Sequence, residues 1–390
     1  MTAIADDVVS LVREVVSGER ATLHEPVFRG NEKKYLLECI DSGYVSSVGE
    51  FVSRFEEDLA TYVGAKYAVA VSNGTVGLQL ALVASGVRPG QEVLVPALSF
   101  VATANAVSHA GAVAHFVDVD PETWGLDPVA LRSHLRAIGR LDSGKLLNKN
   151  TGREIVAVVP MHTLGHPVDM GGILEVSAEF GLIVVEDAAE SLGSFIGDVH
   201  TGLFGTVGML SFNGNKTMTT GGGGALVTDH EDIARKLKHL STTARVPHRW
   251  SFDHDEIGFN FRMPNVNAAL GVAQLEQLPG FVTKQRELFS RYQYVFSHVD
   301  FGVVKEERQG TRSNYWLQAL LLDSHHACHR DVILESAHDA GIALRPLWNP
   351  LNELSPYLAH PSAATPVTQG LCARVICLPS SASLMEVASS

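Results

Sequence analysis

Apolar residues at helical spacing open the chain: Val8, Val9, Leu11, Val12, Val15 and Val16 give a short amphipathic helix over 4–16. Two further helices are expected over 31–40, where Asp41-Ser42-Gly43 breaks the pattern, and over 52–63, with Phe55 and Leu59 on one face. The texture then changes to short β-branched runs alternating with helical stretches. Strands are expected at Tyr67–Val71, Glu92–Pro96, 114–117 and 155–160, and helices at 76–85, 103–109, Pro128–Ile138 and 173–180. Between them, 141–153 is polar, carries Gly144 and Gly152, and reads as a loop. After Asp229 come a helix over 233–240, an irregular segment over 241–259 rich in His and Asp, and a helix over 267–278. Weaker strand and helix signals follow at 315–322, 331–340 and Leu344. The alternation predicts an α/β fold, and the C-terminal third a smaller α+β domain.

The 182–229 stretch carries the densest chemistry. It begins with Leu182-Ile183-Val184-Val185, an apolar run with the look of a strand buried on both faces, and Glu186 and Asp187 stand where the run ends. A second short apolar segment leads through Ser211-Phe212-Asn213-Gly214-Asn215 to Lys216, the only Lys or Arg in the stretch, and four glycines, 221–224, follow. An acid at a strand end and a lone lysine beside glycines are what pyridoxal phosphate (PLP) chemistry needs. The amine forms a Schiff base with the aldehyde, and the carboxylate keeps the pyridine nitrogen protonated so that the ring can act as an electron sink. Glycine lets backbone approach closely. On spacing alone, a solvated loop lysine is the ordinary alternative. A phosphate loop is not present, because Asn215 separates Gly214 from Lys216, and the glycines do not match G-x-G-x-x-G.

Other strand exits add candidates. Ser72-Asn73-Gly74-Thr75 lies between a strand and a helix start, where free N–H groups and the helix dipole favour an anion. It is a candidate phosphate cradle, with a plain N-cap through Thr75 or Ser72 as the alternative. Phe100, after Glu92–Pro96, is placed to stack on a flat ring or to join the core. His162, at the exit of 155–160, is a substrate-side candidate because ligands collect at the carboxyl ends of strands in open sheets, with a turn histidine as the alternative.

The length of 390 residues leaves room for about two or three domains. A formal charge of −13 and a pI near 5.7 argue against nucleic acid or an anionic membrane as the main partner. No run of about 18 apolar residues is present to span a membrane. Cys39, Cys328, Cys372 and Cys377 have no CxxC spacing and no secretory leader opens the chain, which points to a reducing, cytoplasmic compartment. His325-His326-Ala327-Cys328-His329 lacks a second ligand group at useful spacing and reads as a solvated loop or helix start, so no metal is expected.

With these pieces in order, the chain resembles the DegT/DnrJ/EryC1/StrS family of PLP-dependent sugar aminotransferases. The likeness spans about 24–384, through SNGTVGLQLAL, PALSFVATANAV, VVEDAAES, SFNGNK and GFNFRMPN. It implies an α/β, fold type I, aspartate aminotransferase-like architecture: a large domain with a mostly parallel central sheet and a smaller α+β C-terminal domain. The expected bounds are an N-terminal arm over 1–30, the PLP-binding domain over 31–245 and the small domain over 246–390. The resemblance makes Lys216 the Schiff-base lysine and Asp187 the partner of the ring nitrogen. It puts Gly74, Thr75 and Ser211 at the cofactor phosphate and Phe100 on the ring, and has Asn260 reach the phosphate from the neighbouring subunit of a homodimer with shared sites. Glu190 falls where many members carry a glutamine bonded to the ring hydroxyl. A subgroup with histidine in place of the lysine carries out C3 dehydration, and Lys216 speaks against that outcome.

Three longer stretches, LHEPVFRGNEKKYLLECIDSGYVSSVGEFV, SFNGNKTMTTGGGGALVTD and HLSTTARVPHRW, resemble the branch that makes 4-amino sugars for legionaminic acid or related N-acetylated trideoxyhexoses. That likeness implies glutamate as donor and a nucleotide-linked 2-acetamido-4-keto-2,4,6-trideoxyhexose as acceptor. Lys33, Arg245, Arg262 and Arg345 are candidate cations for the diphosphate, and His162, Arg262 and Arg345 candidate substrate contacts. A C3 aminotransferase of the same fold and a non-catalytic PLP-fold regulator remain as alternatives. The end at Ser390 leaves little room for the closing helix usual in the family.

Overall fold

A computed structural model describes residues 2–16, 18 and 20–385; the expected end of the chain after Met385 lies outside the described residues. Seven strands form the main sheet: β1 (Tyr67–Val71), β2 (Glu92–Pro96), β3 (Val113–Val117), β4 (Ile155–Val158), β5 (Ile183–Asp187), β6 (Val207–Ser211) and β7 (Gly224–Thr228). Their order is β1-β7-β6-β5-β4-β2-β3. Every pair from β6 to β3 is parallel, and β7 runs antiparallel to both its neighbours.

Period-two alternation explains why helices cover both faces. Val69, Val71, Val93, Val95, Val185, Met209 and Leu226 pack with Leu78 and Leu82 of α4 (Gly74–Ala84), Val107 of α5 (Ala102–His109) and Leu237 of α8 (Glu231–Ser241). The intervening Ala70, Leu210, Ala225 and Val227 pack with Phe55 and Leu59 of α3 (Glu50–Val63) and with Ala269 and Val272 of α9 (Asn265–Val295). Further along that face, Leu94, Val158 and Val184 meet Leu131 of α6 (Pro128–Ile138) and Ile173 of α7 (Met170–Phe180).

A second, antiparallel sheet follows in the C-terminal third: β8 (Gly302–Val304), β9 (Gln318–Leu322), β10 (Arg345–Pro346) and β11 (Val375–Leu378), in the order β8-β9-β11-β10. The opening helix, α1 (Thr2–Val15), lays Ala5, Val8 and Val12 against Leu288 and Tyr292 of α9, Ile333 of α10 (Arg330–Asp339), and Leu320 and Ile376 of this sheet. The start of the chain is thus packed on elements some 300 residues away in sequence.

Several expectations are corrected. The 141–153 loop is entered by a hairpin, Gly139–Asp142 with Lys145–Asn148, turned by Ser143 at φ 52° and Gly144 at φ 81°. Two successive left-handed residues make the tight turn whose twist matches that of paired strands. The helix expected to stop at 278 runs on through Pro279 to Val295. Pro279 removes one main-chain bond, a cost of about 3 kcal/mol. Burial on both sides of it, at Leu275, Leu278, Val282 and Leu288, offsets that cost. The strand expected over 315–322 begins only at Gln318, because Tyr315 sits at φ 50° and bends the chain away from the ladder.

Candidate active site

The carboxyl ends of β5 and β6 and the turn after β1 open into one cavity of about 310 Å³. Alternation at the end of β5 sends Asp187 into the cavity and Glu186 to the opposite side. Asp187 is buried and held from two directions: Thr103 Oγ1 donates to Oδ2 at 2.6 Å and Ala189 N–H to Oδ1 at 3.2 Å. Ser99 Oγ lies 2.6 Å from Thr103 Oγ1 and orients it. Burial pushes the Asp187 carboxyl above its ordinary range, against the Thr103 and Ala189 bonds and the charge of Lys216.

Lys216 stands on the turn after β6, its N–H bonded to Asn213 O at 3.0 Å. Its side chain is 12% exposed, with Nζ 3.2 Å from Glu190 Oε1 and 3.9 Å from the centroid of the Trp316 ring. Trp316 is fixed in turn by its Nε1–H, which donates to Asn215 O at 2.7 Å. The other Glu190 oxygen accepts Leu164 N–H at 2.9 Å. Leu164 adopts φ 55° and ψ 18°, a left-handed conformation that costs a β-carbon residue about 1–2 kcal/mol and here aims the N–H at the carboxyl. Burial raises the Glu190 carboxyl above its usual range, opposed first by Lys216 and then by the Leu164 bond and Arg345.

At the other end of the cavity, Asn73 Oδ1 caps α4 by accepting Val76 N–H at 3.0 Å, so the cap expected of Thr75 or Ser72 belongs to Asn73. Gly74 and Thr75, whose N–H groups have no intrahelical acceptor at the start of α4, line the cavity together with Ser211. Glycine is required close by: a Cβ on Gly224 would stand 2.9 Å from Gly74 N and from Asn73 C. Phe100 flanks the cavity, 49% exposed, with its ring centroid 6.3 Å from that of Trp348. Arg345 reaches in from β10; its Nε is shut off from solvent with no protein partner.

Seven of the eight expected cofactor contacts, Gly74, Thr75, Phe100, Asp187, Glu190, Ser211 and Lys216, line this one cavity, and Arg345 lines it too. Asn260 does not: it is exposed and accepts from Arg262 Nη2 at 3.1 Å, with neither side chain in the cavity of its own chain. Lys33 is exposed, and Arg245 donates to Ser251 O at 3.2 Å. His162 is a correction. It is fully buried, its Nδ1 accepts Val168 N–H at 3.2 Å and its Nε2 faces Glu186 Oε2 at 3.1 Å, so it supports the sheet from behind and Met161 lines the cavity instead. Thr103, Trp316 and Trp348 were not foreseen. Of these only Thr103 left a trace, as a hydroxyl in the first turn of the helix after Phe100.

Glu186 is a structural carboxylate. It accepts the N–H groups of Gly202, Phe204 and Gly205 at 2.8, 2.6 and 2.6 Å besides facing His162. Glu186→Gln turns one acceptor into a donor against those N–H groups, and is expected to destabilise the protein by about 2–3 kcal/mol, read as a lower urea midpoint. An unchanged midpoint would show that the loop relaxes freely.

The cavity suits PLP by its donor set: N–H and hydroxyl donors for a phosphate at one end, a buried carboxylate for a ring nitrogen at the other, a flanking aromatic ring, and an amine between. No metal-binding cluster occurs among the described residues, and no helix among them is long and apolar enough to cross a membrane.

A model of the DegT/DnrJ/EryC1/StrS aminotransferase family matches residues 26–388. The GDP-perosamine synthase of Caulobacter vibrioides is 36% identical over 342 residues, covering 87% of each chain. The spore coat polysaccharide biosynthesis protein SpsC of Bacillus subtilis is 33% identical, with 76% of this chain and 75% of that protein covered. The crystal structure of the aminotransferase TlmJ from Streptoalloteichus hindustanus matches at a TM-score of 0.83 and 29% identity, over 92% of this chain and 93% of that one. The fold is accordingly fold type I, and the chain belongs to the DegT/DnrJ/EryC1/StrS family as a PLP-dependent sugar aminotransferase.

Proposed function

We propose that the enzyme moves the amino group of glutamate to C4 of a nucleotide-linked 4-keto-6-deoxyhexose, a 2-acetamido-2,4,6-trideoxy sugar. The product is a 4-amino sugar for surface polysaccharide or nonulosonate biosynthesis, of the legionaminic acid kind. The observation that carries the transamination is that Lys216, Asp187 and the open start of α4 share one cavity. The position on the sugar is supported by the 4-amino-sugar branch resemblance, and a nucleotide-linked sugar as acceptor by the relative named GDP-perosamine synthase.

When bound, PLP supplies an electron-withdrawing ring that makes the donor's α-proton labile. Lys216 would hold the cofactor through Nζ, and its amine, when free, would take up and return the substrate's proton. Asp187 would keep the ring nitrogen protonated, with Thr103 fixing the direction of its carboxyl. Glu190 would meet the ring hydroxyl, and Gly74, Thr75 and Ser211 would hold the phosphate. Phe100 would stack on the ring. Arg345, with its unpartnered Nε, receives an anionic group of the substrates. Asn260 and Arg262, outside their own chain's cavity, serve the cavity of a second copy in a homodimer. The reaction runs in the cytoplasm.

The two half-reactions test this reading separately. Glutamate is expected to bleach the visible cofactor band, and a UDP- or GDP-linked 4-keto-6-deoxy N-acetylhexose to restore it. Recovery of the band with an amine at C3 of the product would move the chemistry to the other carbon. Bleaching that no keto-sugar reverses would overturn the acceptor, and no bleaching at all would overturn the donor.

A further inference from the structure

Lys216 lines two cavities. Behind the one that holds the expected cofactor contacts lies a second, of about 10 Å³, the space of a single water. Lys216 is the one residue common to both. The titratable side chains around the smaller cavity are His24, Glu25 and Lys216.

His24 is fixed from both sides. Leu23 O accepts Ser380 N–H at 2.7 Å, and Glu25 N–H donates to Ser381 Oγ at 2.7 Å. The amide nitrogen of Gln285 lies 3.2 Å from His24 Nε2 while its Oε1 has no partner, and on that amide orientation we assign Nε2 as acceptor and the ring proton to Nδ1. That Nδ1 is shut off from solvent and has no protein partner. A buried N–H with no acceptor is costly, and a water-sized cavity beside it supplies one. Burial, and secondarily the charge of Lys216, depress the imidazole to about 4, so the ring is neutral at physiological pH and its N–H stays a donor.

We propose that His24 is a positioning residue for Lys216: its Nδ1–H holds one water in the small cavity, and that water donates to Nζ when the amine is free. A hydrogen bond donated to the amine favours its uncharged form, the form that accepts the substrate's proton. Glu190, on the other side of Nζ, favours the charged form, so His24 opposes it from behind. The inference rests on the role given to Lys216 above.

The test uses cofactor-free enzyme and reads acetylation of Lys216 by acetic anhydride, by mass spectrometry, at about pH 8 and about pH 11. Asparagine's amide nitrogen overlays Nδ1 and glutamine's overlays Nε2, so the two variants separate the nitrogens while both stay polar. His24→Gln is expected to slow labelling roughly tenfold at the lower pH and not at the higher, which lies above the ordinary value of a lysine amine. His24→Asn should follow the wild type at both. Equal rates in His24→Gln and wild type, equal slowing at both pH values, or identical behaviour of the two variants would each overturn the proposal. A wrong transamination reading would show instead in the glutamate half-reaction, on which this labelling does not depend.

Discussion

Lys216→Ala is expected to lower transamination by at least about 10⁴-fold while the protein still binds PLP without a covalent bond. The variant loses the only amine in the cavity, so both the covalent tether and the carrier of the proton go together. The remaining contacts do not depend on it. Gly74, Thr75 and Ser211 still face the phosphate end, Asp187 keeps its bonds from Thr103 and Ala189, and Phe100 keeps its place. Folding should survive as well. Removing the cation leaves Glu190 without its 3.2 Å partner, but burial already favours the neutral form of that carboxyl and Leu164 N–H still bonds its other oxygen. The measurement pairs steady-state turnover with the absorbance of the bound cofactor, which should match free aldehyde and not respond to glutamate. Turnover near the wild-type rate would remove Lys216 from the mechanism.

Much of this site was legible because its chemistry is tied to where strands end. Asp187 closes an apolar run, Ser211 another, and Gly74-Thr75 open a helix after a third, so periodicity alone put them at one edge of a sheet. The expectation that they converge with Lys216 on a cofactor came from the order of the family's motifs along the chain, and they share one cavity. What stayed hidden depends on parity or on backbone conformation. Met161 and His162 follow one another after β4, and Met161 reaches the cavity while His162 is turned beneath Glu186. Trp316 reaches Lys216 because Tyr315 takes a left-handed φ that no propensity assigns to tyrosine. Leu164 likewise delivers its N–H to Glu190 only through such a turn. Pro279 misled in the opposite sense, as burial along α9 outweighed the local signal for a helix end.

Asp187→Asn should separate activity from stability in opposite directions. Asparagine fits the same space, and its one oxygen can accept the Ala189 N–H while its NH2 faces the Thr103 hydroxyl, which can turn to accept; yet it carries no charge to keep the ring nitrogen protonated. Losing one side of a buried charge pair costs about 3–5 kcal/mol, so transamination should fall roughly 10²- to 10⁴-fold. In the cofactor-free protein the sign reverses. Burial raises the Asp187 carboxyl in the folded chain above its unfolded value, so the folded state binds the proton more tightly than the unfolded state does. Such a group contributes stability below the unfolded value, near pH 4, and that contribution is lost as the pH rises through the folded one. At neutral pH the buried Asp187 carboxyl therefore weighs against the empty fold more than at pH 4, and Asp187→Asn should raise the Tm of cofactor-free enzyme at pH 7 by more than at pH 4. PLP then stabilises the wild type more than the variant, because only the wild type gains a counter-charge on binding. Equal Tm values at both pH values would mean that the carboxylate is solvated in the empty site, and the pull of Asp187 on the ring would have to come from its hydrogen bonds alone.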